Sequence, residues 1–276
     1  INIMINFQIY KNGQQIKFDK NYHYFNNKIS QTLFIFHGLY GRGKNWQTFS
    51  KKLSKKENLV VVTVDLRNHG GNTFEEDITY LLMIKDIINL FNFLGVTKTN
   101  LLGHSMGGKL AMILALLEPK YINKVIIADI SPVNYDNNEN EIINALLNIN
   151  LNLIRNRKEA DEHLSKYIDE MFLRSFLLQN LEFFNGKYKW SINLKAIKRA
   201  LNDLRSFPII KNINQFDKEV MCIYGEKSKY VKEAHFKIFK KYFPNIFFHK
   251  IKNADHFLHI ENPLEFYDVS NKFLNK

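Results

Sequence analysis

A serine with flanking glycines lies where an apolar run gives way to a helical pattern, in NLLGHSMGGKLAMI at positions 100–113. Gly103, Ser105 and Gly107 fit the pattern G-x-S-x-G, in which a sharp strand-to-helix turn exposes the serine hydroxyl. Glycines are needed there because strand and helix pack closely around a strained serine backbone. An ordinary N-cap serine is the alternative, and it needs no glycine on either side. The pattern predicts that Ser105 is a nucleophile, which requires a base, an acid and oxyanion donors.

The base is expected on a loop after the last predicted strand, in KIKNADHFLHIENP at positions 250–263. His256 lies closest to the end of that strand, whereas His259 falls at the start of the next turn and is interpreted as a packing or surface residue. An imidazole titrates near neutral pH, which suits proton transfer. We therefore predict that His256 is the general base for Ser105.

Two backbone N–H groups are predicted to stabilise the oxyanion. Met106 would begin the helix that follows the nucleophile, where free N–H groups and the helix dipole favour negative charge. Leu39 follows Gly38 in the loop after the run TLFIF, and that glycine lets the chain bend toward the serine. Leu39 and Met106 are thus the predicted donors.

The same early loop raises an alternative, which is nucleotide binding. The stretch GLYGRGKN (38–45) is one residue short of the phosphate-binding pattern G-x-x-x-x-G-K-[ST]. Asn45 stands where a hydroxyl would hold Mg²⁺, and Asp65, at the end of another predicted strand, could be the acidic partner. This alternative leaves Ser105 and His256 without a role, so it is less favoured.

The elements that must position these residues alternate between apolar runs and helical patterns. Six β-branched or aromatic runs predict strands that are buried on both faces of a parallel sheet, at 32–36, 59–65, 99–103, 124–129, 220–225 and 245–251. Helical patterns lie near 45–56, 76–94, 106–118, 231–242 and 262–274. Together they predict an α/β fold with a mostly parallel central sheet and helices on both faces. Two earlier runs, NFQIY and YHYF, could form an antiparallel lead-in hairpin.

The alternation breaks once, between about residues 134 and 207, where only helical patterns occur and no strand run is found. Residues 134–207 are therefore predicted to form a helical cap, inserted into a core made of residues 1–133 and 208–276. Ligands of open α/β sheets bind beyond the carboxyl ends of the strands, so an insertion there would cover the site.

The composition of the 276 residues is that of a globular protein, with 45% hydrophobic residues and one cysteine, Cys222, which excludes an internal disulfide. The net charge of +12 comes mostly from lysines spread along the chain, which argues against nucleic-acid binding.

The apolar runs are strand-length and the first residues lack a signal-peptide pattern, so we expect a cytoplasmic protein without stable membrane insertion. No metal-binding spacing such as HExxH is present. The sequence predicts no particular oligomeric state.

Six motifs resemble the α/β-hydrolase superfamily, in order and at family spacing. They are HGLYG (37–41), VDLRNHG (64–70), GHSMGGK (103–109), ADISPV (128–133), IYGEKSKYV (223–231) and ADHFLHIENP (254–263). The combination of GHSMGGK with ADISPV is most similar to a branch of small esterases. The resemblance implies a helical cap and the hydrolysis of small-molecule carboxylic esters or acyl thioesters without metal or cofactor. It also implies that His37, His69 and His104 fix backbone rather than bind a metal.

The triad acid is where the sequence departs from the superfamily pattern. Most members carry an aspartate at the position of Ser228, and a serine cannot bear the charge that stabilises an imidazolium. Asp129 is the predicted acid because its loop leaves the same edge of the sheet, as in some members, although a cap for the turn before Pro132 is its alternative. Glu226 is the second choice of acid. Ser228 is assigned an auxiliary role in which it bridges to His256 or to substrate.

Tyr40, Tyr230 and Phe257 are predicted to line an apolar acyl pocket. The predicted function is a serine esterase or thioesterase that acts on short-to-medium acyl groups through an acyl-enzyme. Two alternatives stay open. One is another α/β-hydrolase reaction, such as C–C bond lysis or cofactor-free haloperoxidation. The other is a non-catalytic ligand-binding protein, which the missing aspartate at position 228 would suit.

Overall fold

The computed structural model describes residues 5–19, 31–56, 58–136, 140–208 and 214–275. Within these ranges the strands are β1 (Phe7–Lys11), β2 (Gln14–Ile16), β3 (Gln31–Phe36), β4 (Leu59–Val64), β5 (Thr99–His104), β6 (Ile122–Ala128), β7 (Leu181–Phe184), β8 (Lys187–Trp190), β9 (Val220–Gly225) and β10 (Ile246–Ile251). The α-helices are α1 (Gln47–Leu53), α2 (Tyr80–Leu94), α3 (Met106–Leu117), α4 (Asn140–Leu147), α5 (Arg157–Leu164), α6 (Met171–Leu178), α7 (Leu194–Arg205), α8 (Phe236–Tyr242), α9 (Leu258–Glu261) and α10 (Pro263–Leu274).

One large sheet organises the described part of the chain, with strands in the order β10-β9-β6-β5-β3-β4-β1-β2. From β10 to β4 all neighbours pair in parallel, whereas β1 pairs antiparallel with β4 and β2 antiparallel with β1. Parallel strands need long crossovers, and here these are mostly helices that pack on both faces of the sheet. The predicted α/β fold with a mostly parallel central sheet is confirmed.

Residue alternation along the strands separates two hydrophobic cores, one on each face of the sheet. In β3, Phe34 and Phe36 join the core that α2, α3 and α8 cover. Leu33 and Ile35 join the opposite core, which α1, α9 and α10 cover. All four side chains are fully buried, and burying a side chain of this kind contributes about 1.5–3 kcal/mol. These two cores fix the carboxyl ends of β3, β5 and β6 relative to one another.

The chain between β6 and β9 leaves the sheet and forms an insert, defined here as residues 140–205. It contains α4, α5, α6, α7 and the hairpin β7–β8. Its side chains form a third hydrophobic core, which Tyr40 from the loop after β3 joins. The prediction that this segment has no strands is wrong. The hairpin turns at Asn185 and Gly186, both with positive φ (49° and 78°), and Asn-Gly is the favoured pair for a two-residue hairpin turn.

The lead-in hairpin also differs from the prediction. The strand from NFQIY turns at Asn12 and Gly13, where φ is again positive, and pairs with the nearby β2. The run YHYF lies outside the described residues. None of the helices in the described ranges combines the length and apolarity that crossing a bilayer requires.

Candidate active site

Ser105 occupies the turn between β5 and α3, with φ 52° and ψ −120°. A non-glycine residue in this conformation costs on the order of 1–3 kcal/mol, which the surroundings must offset. The Ser105 N–H donates to the Ala128 carbonyl at 3.0 Å, and the Ser105 carbonyl accepts from the Gly108 and Lys109 N–H groups. The Ser105 hydroxyl makes no capping hydrogen bond to α3. The alternative of an ordinary N-cap serine therefore does not fit this turn.

Close backbone contacts explain the glycines around Ser105. A Cβ atom at Gly103 would lie 2.1 Å from the Gly107 carbonyl oxygen, and one at Gly107 would lie 2.3 Å from the Phe36 carbonyl oxygen. Both distances are far below van der Waals contact, and the obstructing atoms belong to the backbone. Any larger residue at either position would push α3 away from the strands and displace the serine.

A hydrogen bond of 2.7 Å joins His256 Nδ1 to Asp129 Oδ2. His256 lies in the loop between β10 and α9, and Asp129 follows β6 directly. The carboxylate is fully buried, and its other oxygen accepts the Gly225 N–H at 3.1 Å. Because an ionised carboxylate only accepts, the imidazole proton lies on Nδ1 and Nε2 is left as the acceptor. That is the tautomer a general base needs.

The other acid candidates lie differently. Glu226 is exposed, and its Oε2 accepts the Asn253 N–H at 3.0 Å. The Ser228 hydroxyl donates to Asp129 Oδ2 at 2.5 Å, and its predicted auxiliary role toward His256 or substrate stays a prediction. Ser228 binds the same carboxylate oxygen that His256 binds. The structure thus brings Asp129, and not Glu226, to the imidazole.

Aromatic side chains fix the His256 loop. Tyr230 stacks on the His256 ring, with centroids 4.1 Å apart, and the His104 Nε2–H donates to the His256 carbonyl at 2.8 Å. Burial, followed by the proximity of the His256 imidazole, holds the pKa of His104 well below its usual value, so His104 stays neutral. The half-buried His259 stacks on Trp46, with ring centroids 4.2 Å apart, in line with its interpretation as a packing residue.

The two predicted oxyanion donors lie near Ser105, Met106 as the next residue in the chain and Leu39 in a loop that packs against the serine. Met106 is the first residue of α3, where helix N–H groups have no partner within the helix. Leu39 follows Gly38, at which a Cβ atom would lie 3.2 Å from the Ser105 Cβ, so this loop runs directly against the serine. Both N–H groups thus belong to backbone that adjoins Ser105, and their role as oxyanion donors stays a prediction.

Ser105 and His256 both line a cavity of about 560 Å³. Tyr40, Tyr230 and Phe257, the predicted pocket residues, line it as well. The insert supplies further apolar lining that the sequence analysis did not assign, namely Ile142, Phe172, Leu173 and Phe176. No pattern in the sequence links these residues to a serine more than thirty positions earlier, since only the folded insert brings them together.

The phosphate-binding alternative for residues 38–45 is contradicted by the way the loop's N–H groups are used. The Gly43 N–H donates to Asp65 Oδ1 at 2.7 Å, and the Gly41 N–H donates to the Gly38 carbonyl at 3.0 Å. Asp65 also accepts from the Gly71 N–H, so it ties two loops together. The side chain of Asn45 accepts the Arg42 N–H. A phosphate would find these donors already engaged.

Two buried histidines tie the Leu39 loop to the loop after β4. His37 donates from Nδ1 to the Gly38 carbonyl at 2.7 Å and accepts the Leu66 N–H on Nε2 at 2.9 Å. His69 donates to the Arg67 carbonyl and accepts the Tyr40 N–H at 3.3 Å. One nitrogen donates and the other accepts, which only a neutral ring can do. Both rings fix backbone, as the resemblance implied, and the described residues hold no cluster suited to a metal.

We expect these rings to make stability fall in mild acid. Burial lowers the pKa of His37 from 6.5 to about 4 and that of His69 to about 3. The unfolded chain then binds protons below about pH 6.5 that the folded chain refuses, so the free energy of unfolding falls as pH drops from about 6.5 to about 4. Urea denaturation at a series of pH values measures this slope. His37→Asn should reduce it, and His249→Asn, at a half-exposed imidazole, controls for loss of an imidazole as such; equal slopes in both variants would contradict the assignment.

Comparisons with known proteins show the family to which the chain belongs. Residues 31–263 match the sequence profile of the α/β hydrolase fold. The sn-1-specific diacylglycerol lipase ABHD11 of Danio rerio is 33% identical over 252 residues, which cover 89% of this chain and 79% of that protein. Esterase YbfF of Escherichia coli (strain K12) is 27% identical, covering 91% of this chain and 95% of that protein. A solved structure of a marine microorganism esterase superposes with a TM-score of 0.88 at 30% identity, covering 99% of this chain and 100% of that one.

These relatives are esterases and lipases, and they match the chain over most of its length. The strand order, the turn at Ser105 and the match to residues 31–263 point the same way. The chain belongs to the α/β-hydrolase family, in its esterase branch.

Proposed function

We propose that the protein is a serine hydrolase of small acyl esters or acyl thioesters, with Ser105, His256 and Asp129 as its catalytic residues. One observation carries the proposal. His256 is bound to the buried carboxylate of Asp129 at 2.7 Å, and the same imidazole lines one cavity together with Ser105. Acyl transfer requires an oriented base that shares a site with an exposed serine, and this arrangement supports the proposal.

In the proposed reaction the Ser105 hydroxyl attacks the acyl carbonyl while His256 Nε2 accepts its proton. The N–H groups of Leu39 and Met106 bind the oxyanion of the tetrahedral intermediate. His256 then gives the proton to the departing alcohol or thiol, which leaves an acyl group on Ser105. Water repeats the sequence and releases the carboxylic acid. Asp129 stays ionised throughout and stabilises the imidazolium.

The volume and the lining of the cavity support the proposal that the acyl group is of short to medium length. Its volume of about 560 Å³ lies within the usual range of small-molecule sites. Phe257 lies edge-on to Phe172 and Phe176, with ring centroids 5.1 and 5.0 Å apart, and these rings form an apolar wall beside His256. Because Phe172 and Phe176 belong to the insert, we propose that the insert acts as the cap of the site, close to the predicted range 134–207.

Charge on the cavity wall gives no reason to prefer an anionic carrier such as coenzyme A. Basic and acidic side chains both line the cavity, in similar numbers. The basic residues are Arg205, Lys229 and Lys232, and the acidic residues are Asp136, Glu170, Asp255 and Glu261. The choice between ester and thioester therefore needs a direct competition experiment.

A serine-directed fluorophosphonate is expected to label the protein at Ser105, because the probe mimics the tetrahedral intermediate and needs an activated serine. Mass spectrometry of the labelled peptide identifies the residue. A p-nitrophenyl butanoate competitor should slow labelling, and butanoyl-coenzyme A at equal concentration tests whether a thioester competes as well. Absence of labelling at Ser105 would instead favour a non-catalytic ligand-binding protein.

A further inference from the structure

Lys109 is a buried lysine in an otherwise apolar helix. It lies one turn after Ser105 in α3, only 1% of the residue's surface is exposed, and its neighbours in the helix are small or apolar. A buried ammonium or amine group must find hydrogen-bond acceptors. The Lys109 Nζ donates to the Val133 carbonyl at 2.9 Å and to the Arg205 carbonyl.

These two carbonyls belong to the two connections of the insert. Val133 lies where the chain leaves the sheet after β6, and Arg205 is the last residue of α7, where the chain returns. The connections also bind each other, since the Tyr135 N–H donates to the Arg205 carbonyl and the Phe207 N–H donates to Asn134 Oδ1 at 2.8 Å. The Lys109 side chain, which extends from α3, thus forms hydrogen bonds to both connections of the insert.

The same network reaches the nucleophile and the base. The Lys109 backbone N–H donates to the Ser105 carbonyl at 3.1 Å. Its Nζ lies 4.7 Å from the centre of the Tyr135 ring, and the Tyr135 hydroxyl donates to the Tyr230 carbonyl at 2.5 Å. Tyr230 in turn stacks on His256. Lys109 is not among the residues that line the cavity. Its side chain can therefore affect the substrate only through its contacts with Tyr135 and with the two connections of the insert.

We propose that Lys109 is a positioning residue that sets where the insert lies relative to Ser105, and so determines the preferred length of the acyl group. This inference rests on the proposed ester or thioester hydrolysis. The apolar wall from Ile142, Leu173 and Phe176 belongs to the insert, so a shift at its connections changes the room for the acyl chain. A short acetyl group touches little of that wall, whereas a longer chain must fit against it.

The lysine can hold both carbonyls in either protonation state. Burial, followed by the charge of Arg205, lowers the pKa of Lys109 to about 7. A neutral amine still has two N–H donors, enough for the Val133 and Arg205 carbonyls. We call the two hydrogen bonds from Lys109 Nζ to the Val133 and Arg205 carbonyls the Lys109 clamp. The clamp does not depend on a permanent positive charge. Replacing Lys109 by a non-polar residue of similar length removes it.

The test is Lys109→Met, with kcat and KM measured on p-nitrophenyl esters from acetate to decanoate. We expect KM for the longer esters to change by about 3- to 30-fold, the range for residues that couple to a site without touching its ligand. Turnover of the acetate ester and the rate of fluorophosphonate labelling should stay within about twofold. Hydrogen exchange should speed up at the amides of α4 and α7, a readout that does not need catalysis.

The matched control is Lys218→Met. Lys218 also donates to two backbone carbonyls, those of Pro119 at 2.8 Å and Ile122 at 2.6 Å, but these lie at the amino ends of the strands, away from the insert. This control should leave the chain-length profile unchanged. Asn134→Ala, at an exposed residue of the same connection, replaces Lys109→Met if that variant does not fold, and should shift the profile in the same direction.

Three results would overturn the assignment. Equal profiles for wild type and Lys109→Met would mean that the clamp does not set selectivity. A fall in acetate turnover and labelling as large as that for long esters would place Lys109 in support of the Ser105 turn instead. The same profile change in Lys218→Met would reduce the effect to general destabilisation. If wild type hydrolyses no ester or thioester, the proposed function fails, while faster exchange of the insert amides would still report the clamp.

Discussion

Ser105→Ala is expected to lower kcat/KM for a p-nitrophenyl ester by about 10⁴- to 10⁶-fold, the scale seen when a catalytic serine is removed. The hydroxyl is the only group in the proposed mechanism that forms a bond to the acyl carbon, and neither His256 nor the oxyanion donors can replace it. Alanine retains a Cβ and thus the packing of the turn, so the melting temperature should change little. Steady-state kinetics and thermal unfolding of the same preparation separate the two effects.

Ser165→Ala is the matched control, since Ser165 is an exposed serine of the insert whose hydroxyl donates to the Glu162 carbonyl. It should retain wild-type turnover. Substantial hydrolysis by Ser105→Ala, after removal of any contaminating esterase, would show that the nucleophile has been assigned wrongly. It would also direct attention to the alternative reactions of this fold.

Asp129→Asn is expected to lower kcat by about 10⁴-fold, as replacing the orienting carboxylate by an amide does in related triads. Asp129 Oδ2 accepts from both His256 Nδ1 and the Ser228 hydroxyl, and Oδ1 accepts the Gly225 N–H. An amide removes the negative charge, and its NH₂ group would face at least one of these donors. The imidazole then loses both its fixed tautomer and the charge that stabilises its protonated form. The pH dependence of kcat, measured beside wild type, reports the change in the base directly.

Glu226→Gln provides the comparison at the second-choice acid. Because Glu226 is exposed and its Oε2 binds the Asn253 N–H, its amide should keep wild-type turnover. Should Glu226→Gln collapse kcat while Asp129→Asn does not, the acid would be the residue after β9. Equal, small effects in both variants would argue against an orienting carboxylate altogether.

The fold was predictable because its signals are local and repeated. The run LVVVTV in β4 is buried at every position, as expected for a strand with helices on both sides, and the predicted strand ends agree with the structure to within two residues. Both hairpins that were missed or misplaced turn at an Asn-Gly pair, Asn12-Gly13 and Asn185-Gly186. That pair is a strong hairpin signal, and the helical patterns around the second one obscured it.

The candidate site could be predicted only where the order of motifs along the chain indicates which residues meet. Ser105 and His256 follow strands whose ends meet at one edge of the sheet, so pairing them needed no knowledge of side-chain packing. The partners of Ser228 and Lys109 were not predictable, because each bond joins residues separated by 24 to 99 positions through the folded connections of the insert or the β9 loop. A charged residue in the apolar helix after the serine was the one available signal for Lys109.

The position of the Asp129 carboxylate directly after β6 has a consequence for heat resistance. Ser105 and Asp129 follow neighbouring strands, and their N–H groups bind the Ala128 and Ile223 carbonyls in the middle of the sheet. Of Ser105, His256 and Asp129, only His256 lies in a loop several residues beyond the end of its strand. Warming should therefore displace the His256 imidazole from Asp129 before the sheet unfolds. Turnover should then decline at temperatures where circular dichroism still reports a native protein.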